Sequence, residues 1–161
     1  MRRMKDDEFQ GLIRHDAYQV FLFTCPATFP FSFASHPWFV VNRKGTVSRW
    51  EIFWEADKKD KMSWGHLHKD CWPPSQGIEM FFYSQKYFFK STLFDSIEGN
   101  EGSLAHRMAD FIEESSQHYP YCQEYSLRGP NSNTYVQWVF DHFPECGIRL
   151  RWNSFGKRYS R

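Results

Sequence analysis

The chain predicts an α+β fold, a single domain over residues 1–161 in which an antiparallel sheet is packed by two helices. Three observations lead there. Apolar runs bounded by turn residues recur between Tyr18 and Trp54, apolar residues recur at helical spacing between Leu104 and Ile112, and a turn-and-cap cluster at 129–134 opens onto a second apolar segment. A chain of 161 residues can bury one core without disulfide staples.

Residues 1–16 form a polar N-terminal segment, and 17–160 form the core. Met1 to Glu8 is charged and leads into no apolar stretch or small-residue cleavage site, so no secretory signal is expected. Residues 17–42 contain no Asp, Glu, Lys or Arg, a length that would span a bilayer as a helix. Pro26, Pro30 and Pro37 argue against that, because each removes a backbone donor that hydrocarbon does not replace. Two buried strands, 18–24 and 36–42, joined by a Pro-marked loop fit instead. A turn at 43–46 leads to a third strand, in which Val47, Arg49, Glu51 and Phe53 alternate with Ser48, Trp50, Ile52 and Trp54. That hairpin sets the His36 strand beside the Glu51 strand.

Residues 56–77, with charges, Gly and a Pro pair, read as a long loop, either an insertion or a binding element. The aromatic run 78–89 reads as a strand. Ser103 caps a helix whose Leu104, Met108, Phe111 and Ile112 share one face while Asp110, Glu113 and Glu114 face water, and Pro120 stops it. Residues 121–127 read as another strand, and a second helix runs from Ser132 until Pro144.

Ser132 stands at the mouth of that helix, where free N–H groups and the positive end of the dipole favour an anion. It is the candidate nucleophile. His36, opening its strand, is the candidate base, and Glu51 on the next strand is the group that would fix its tautomer. Asn131 and Asn133 are candidate oxyanion donors, and Trp38, Trp50 and Trp54 candidate ring contacts for a ligand. The plainer reading of the same residues is structural. Asn131, Ser132, Asn133 and Thr134 would only cap a helix, with Thr134 and Gln137 as a capping box, and His36 would be a satisfied strand histidine.

These residues also carry a resemblance. The block Gly129-Pro130-Asn131-Ser132-Asn133-Thr134-Tyr135-Val136, followed by Phe143-Pro144-Glu145 and Phe155-Gly156-Lys157-Arg158-Tyr159, resembles the C-terminal signature of a bacterial domain-of-unknown-function family. His36-Pro37-Trp38 and Trp50-Glu51-Ile52 resemble that family's His-x-Trp and aromatic-Glu-aliphatic segments. The order is similar to the circularly permuted papain-like superfamily of the NlpC type, in which a His strand precedes a polar residue and a Cys heads a C-terminal helix. The resemblance covers about residues 17–160 and implies a permuted papain-like fold. Where the superfamily has Cys, this chain has Ser132, which has no accessible thiolate and depends wholly on its base.

Charge and cysteines bound the remaining classes. Net charge is +1, so no global field steers the protein to nucleic acid or an anionic membrane, and none is expected as a partner. The basic tail from Arg149 to Arg161, with Trp152, Phe155 and Tyr159 interleaved, reads as a solvated end docked by its rings. Cys25, Cys71, Cys122 and Cys146 lie singly and predict reduced thiols and a cytoplasmic location. His66, His68 and Cys71 are ligand types that suit zinc, with a fourth from His15, His106 or Cys122, but the spacing is common by chance, so no metal and no cofactor are expected. The function predicted is hydrolysis or transfer of an acyl group at an amide or ester of a small molecule, peptide or lipid. The alternative is a catalytically inactive binding module that uses an aromatic-lined cleft.

Overall fold

The computed structural model describes residues 2–159; Met1, Ser160 and Arg161, at the ends of the polar segment and the basic tail, lie outside the described residues. The strands are β1 (Arg2–Arg3), β2 (Tyr18–Pro26), β3 (Ser35–Arg43), β4 (Thr46–Ile52), β5 (Met62–Trp64), β6 (Leu67–Lys69), β7 (Glu79–Phe81), β8 (Ser84–Phe88) and β9 (Thr92–Gly99). Seven of them make one antiparallel sheet in the order β1-β9-β2-β3-β4-β6-β5, and β7 and β8 form a separate ribbon. The helices are α1 (Asp6–Gln10), α2 (Leu104–Glu113), α3 (Ser115–His118) and α4 (Ser132–His142).

β2 and β3 lie at the middle of the sheet with both faces covered, which explains their long charge-free run. Phe39 pairs with Leu22 on one side and Trp50 on the other. Strand alternation then divides the core in two. On one face Val20, Leu22, Phe39, Val41, Trp50 and Ile52 pack against Met108, Ile112, Tyr135, Val136, Val139 and Phe140 of α2 and α4. On the other, Phe21, Phe23, Trp38, Val40 and Phe53 pack with Phe9 of α1 and Ile78. Thus the polar N-terminal segment contributes a buried ring and an edge strand.

Several elements differ from the sequence expectation. Residues 56–77 are not one loop: β5 and β6 extend the sheet beyond β4. The run 78–89 is a hairpin rather than one strand. β9 pairs along most of β2 and went unread because Asp95, Ser96 and Glu98 break its apolar pattern. Residues 121–127 are turn and irregular chain, held by rings instead of a ladder: Tyr121 packs on Tyr159 at 5.3 Å and Tyr125 on His66 at 5.3 Å. The first long helix ends at Glu113, with α3 between it and Pro120, so four helices stand where two were expected.

Candidate functional site

β3 begins four residues before its ladder with β4 starts at Phe39, so Pro37 loses no pairing to β4 and the head of the strand is free to border a site. His36 and Trp38 share a sheet face with Arg49, Glu51 and Phe53 by register and alternation. His36 Nε2 lies 3.1 Å from Glu51 Oε2, with both side chains almost wholly buried. Arg49 Nη2 donates to the same oxygen at 2.9 Å, and its Nε stands 2.9 Å from Oε1 as an ion-pair contact outside hydrogen-bond angle. Arg49 Nη1 donates to the carbonyls of Pro73 and Gln76, and the guanidinium lies 4.3 Å over the Trp38 ring. Burial by itself pushes the Glu51 carboxyl up, but Arg49 and His36 more than offset this and hold it at about 2. An ionised Glu51 only accepts, so His36 Nε2 carries the proton of this bond.

α4 is set by its own cap. Asn131 Oδ1 accepts from the N–H groups of Asn133 at 3.0 Å and Thr134 at 3.3 Å, while the Asn131 N–H donates to Thr134 Oγ1 at 3.0 Å. The capping box is therefore Asn131 with Thr134, not Thr134 with Gln137, because the helix starts at Ser132. Asn131 Nδ2 donates to the Ser126 and Leu127 carbonyls, and a Cβ on Gly156 would meet this side chain at 2.5 Å, which requires glycine there. Asn133 Nδ2 donates to the carbonyls of Ser35 at 2.9 Å and Phe155 at 3.0 Å, tying the helix start to the residue before His36. Both amides are thus consumed in positioning, and neither Nδ2 remains to act as an oxyanion donor. Among the described residues the Ser132 hydroxyl makes no hydrogen bond.

A pocket of about 440 Å³ opens at this junction. His36, Asn131, Ser132 and Asn133 line one end, and Phe31, Phe53, Trp54, Ile78 and Phe82 form walls. Trp54 is the candidate tryptophan that borders it. Trp38 and Trp50 do not, and both leave the set of ligand contacts. Trp38 is fully buried against Phe23 with its Nε1 donating to Pro74 O at 2.9 Å. Trp50 points to the helix-covered face, stacked on Trp64 at 5.8 Å, because strand alternation turns it away from Glu51.

The histidines of the 56–77 segment are occupied by structure. His66 Nδ1 bonds Phe53 O at 2.9 Å, and His68 bonds Ser63 Oγ at 2.7 Å and Glu55 O at 2.8 Å through its two ring nitrogens. Burial pushes the Cys71 thiol up to about 11. Among the described residues no group of three or more His, Cys, Asp or Glu converges to hold a metal ion.

The residue sequence reasoning passed over is Arg49. Its signal was present: two opposite charges two positions apart in an otherwise uncharged strand point to the same face and form a buried pair. The walls left no local signal, since Phe31, Phe82 and Phe155 come from three distant loops and turns.

The chain belongs to the DUF3750 family, described as a protein of unknown function, which matches residues 17–159. No curated protein and no solved structure matches it.

Proposed function

We propose that the protein is an acyl hydrolase or acyltransferase of permuted papain-like type, with Ser132 as nucleophile, His36 as base and Glu51 as the group that orients it. The observation that carries this reading is the bond from His36 Nε2 to an ionised Glu51 beside a pocket that Ser132 also lines. The bond leaves Nδ1 as the base. Ser132 Oγ attacks the carbonyl carbon of an ester or amide as its proton passes to His36 Nδ1. The tetrahedral oxyanion is stabilised by the Ser132 N–H at the positive end of α4. The tetrahedral species then collapses, the C–O or C–N bond breaks, and His36 returns the proton to the leaving alcohol or amine. Water, or another alcohol or amine, repeats the sequence on the acyl-Ser132 ester and frees the enzyme. Arg49 acts through Glu51 as a positioning residue. The chain order of His strand, acid strand and nucleophile at a helix start supports the permuted papain-like assignment.

An alkyl fluorophosphonate probe tests this. Mass spectrometry should place the adduct on Ser132, and His36→Ala should abolish it with the fold retained by circular dichroism. Ser132→Cys sharpens the test, because a thiol at a helix N-terminus beside a base should outreact the native cysteines toward iodoacetamide at neutral pH. Burial raises Cys25 to about 12 and Cys71 to about 11 and pushes Cys122 up as well, so the native background comes chiefly from Cys146. An unlabelled Ser132 together with an introduced thiol of ordinary reactivity would overturn the enzyme in favour of a binding module.

A further inference from the structure

Resting on the reading of Ser132 as nucleophile, we propose that the pocket takes a linear acyl chain, so that the substrate is a fatty acyl ester rather than a peptide. The division of polar groups along the pocket carries this. Ser35, His36, Asn131, Ser132 and Asn133 gather at the reacting end, and beyond them the walls are Phe31, Phe53, Trp54, Ile78 and Phe82. Of the polar groups beyond that end, the Thr28 hydroxyl is spent on Glu79 O at 2.9 Å, Trp54 Nε1 is buried without a hydrogen-bond partner among the described residues, and Tyr125 and Arg128 also line the pocket. A peptide in this space would bury more backbone N–H and C=O groups than Trp54 Nε1, Tyr125 and Arg128 can partner, at a cost of about 1–3 kcal/mol for each one left over. A polymethylene chain has no such groups and gains from every carbon it buries.

Shape agrees with chemistry. Ala27 and Ala34 face each other across a backbone bond of 2.9 Å and both line the pocket, so the space exists because two small side chains stand among large ones. The mouth is largely apolar: Phe33, Leu127 and Phe155 line it and remain 65%, 51% and 43% exposed, with the exposed Arg128 beside them. Exposed rings contiguous with an apolar cavity suit a ligand that itself avoids water. The polar end then holds the ester carbonyl at Ser132 Oγ with the chain running along the ring-lined walls.

The test uses p-nitrophenyl acetate, butyrate, hexanoate and octanoate, a tripeptide p-nitroanilide, and displacement of a fluorescent fatty acid by octanoate. kcat/KM should rise roughly fourfold per added methylene until the pocket is full. Octanoate should displace the fluorescent fatty acid from both the native protein and Ser132→Ala. Ala34→Trp should lower kcat/KM for the octanoate ester far more than for the acetate ester, and Ala27→Trp, at its hydrogen-bonded neighbour, should repeat the result. Cleavage that ignores chain length, or that prefers the peptide anilide, overturns the acyl-chain assignment and leaves the nucleophile intact. Octanoate binding with no cleavage of any ester overturns the nucleophile and leaves the pocket assignment standing.

Discussion

On the helix-covered face of the sheet, β3 and β4 present Phe39, Val41, Trp50 and Ile52; on the opposite face the same strands present His36, Trp38, Arg49 and Glu51. Both sets are buried, but they hold together by different physics. Apolar packing is non-directional, and residues of similar volume replace one another at modest cost. The Arg49–Glu51 pair is 0% and 1% exposed, and each ion loses several kcal/mol of hydration that only well-aimed partners return. A pair of packed aliphatic residues would avoid that cost. What aliphatic residues would not do is hold the His36 ring with Nε2–H turned to a carboxylate. One face of the hairpin is held by apolar packing alone, whereas the other combines a second apolar core with a buried ion pair that fixes the orientation of His36.

The largest effect expected is Arg49→Ala, which leaves the buried Glu51 with His36 as its remaining partner and should cost about 3–5 kcal/mol in urea denaturation. Phe39→Ala on the other face should cost a similar amount, about 3–5 kcal/mol, through its cavity. The contrast appears on repair. The double change Arg49→Met with Glu51→Leu should restore most of the stability yet lose fluorophosphonate labelling of Ser132, whereas recovered labelling would show that the pair orients nothing.

Next in size is the response to acid. Glu51 is held at about 2 against an ordinary 4.5, so the unfolded chain takes up this proton at a higher pH than the folded one. Its stabilisation is therefore full above about pH 5 and drains away as pH falls toward 2, by of order 3 kcal/mol. Glu51→Gln should flatten that part of the stability profile measured by denaturant titration, and a profile that keeps its slope would assign the acid sensitivity to other carboxylates. A smaller loss, about 1–2 kcal/mol, is expected for Asn131→Ala, which removes the α4 cap. Unlike the first two changes, it should weaken α4 and labelling together. Smallest of all is Ser132→Ala. With no hydrogen bond lost from its hydroxyl among the described residues, stability should stay within about 0.5 kcal/mol by thermal denaturation while labelling disappears. A marked destabilisation instead would return Ser132 to a capping role.

The legible parts of the molecule are those encoded within a few residues. The charge-free run, the 43–46 turn and the alternation of β4 announced the central hairpin, and with it the nearness of His36 and Glu51. Ser103 and the 104–112 spacing announced α2, and Asn131 to Thr134 announced the start of α4. β9 was not legible, because a half-exposed strand that supplies one side of a long pairing needs no strong pattern of its own. The same holds for 121–127, whose rings find distant partners while its backbone stays irregular.

The sequence by itself determined which residues could do chemistry and where the hairpin and the two main helices begin, since capping, turns and side-chain periodicity act between near neighbours along the chain. Only the tertiary structure decided that Trp50 faces the helices, that Arg49 clamps Glu51 to the 73–76 carbonyls, and that Ser132 and His36 border one apolar pocket. Those outcomes depend on packing between segments as far apart as Ser35 and Asn133, whose contact is set by the whole core at once and by no local preference.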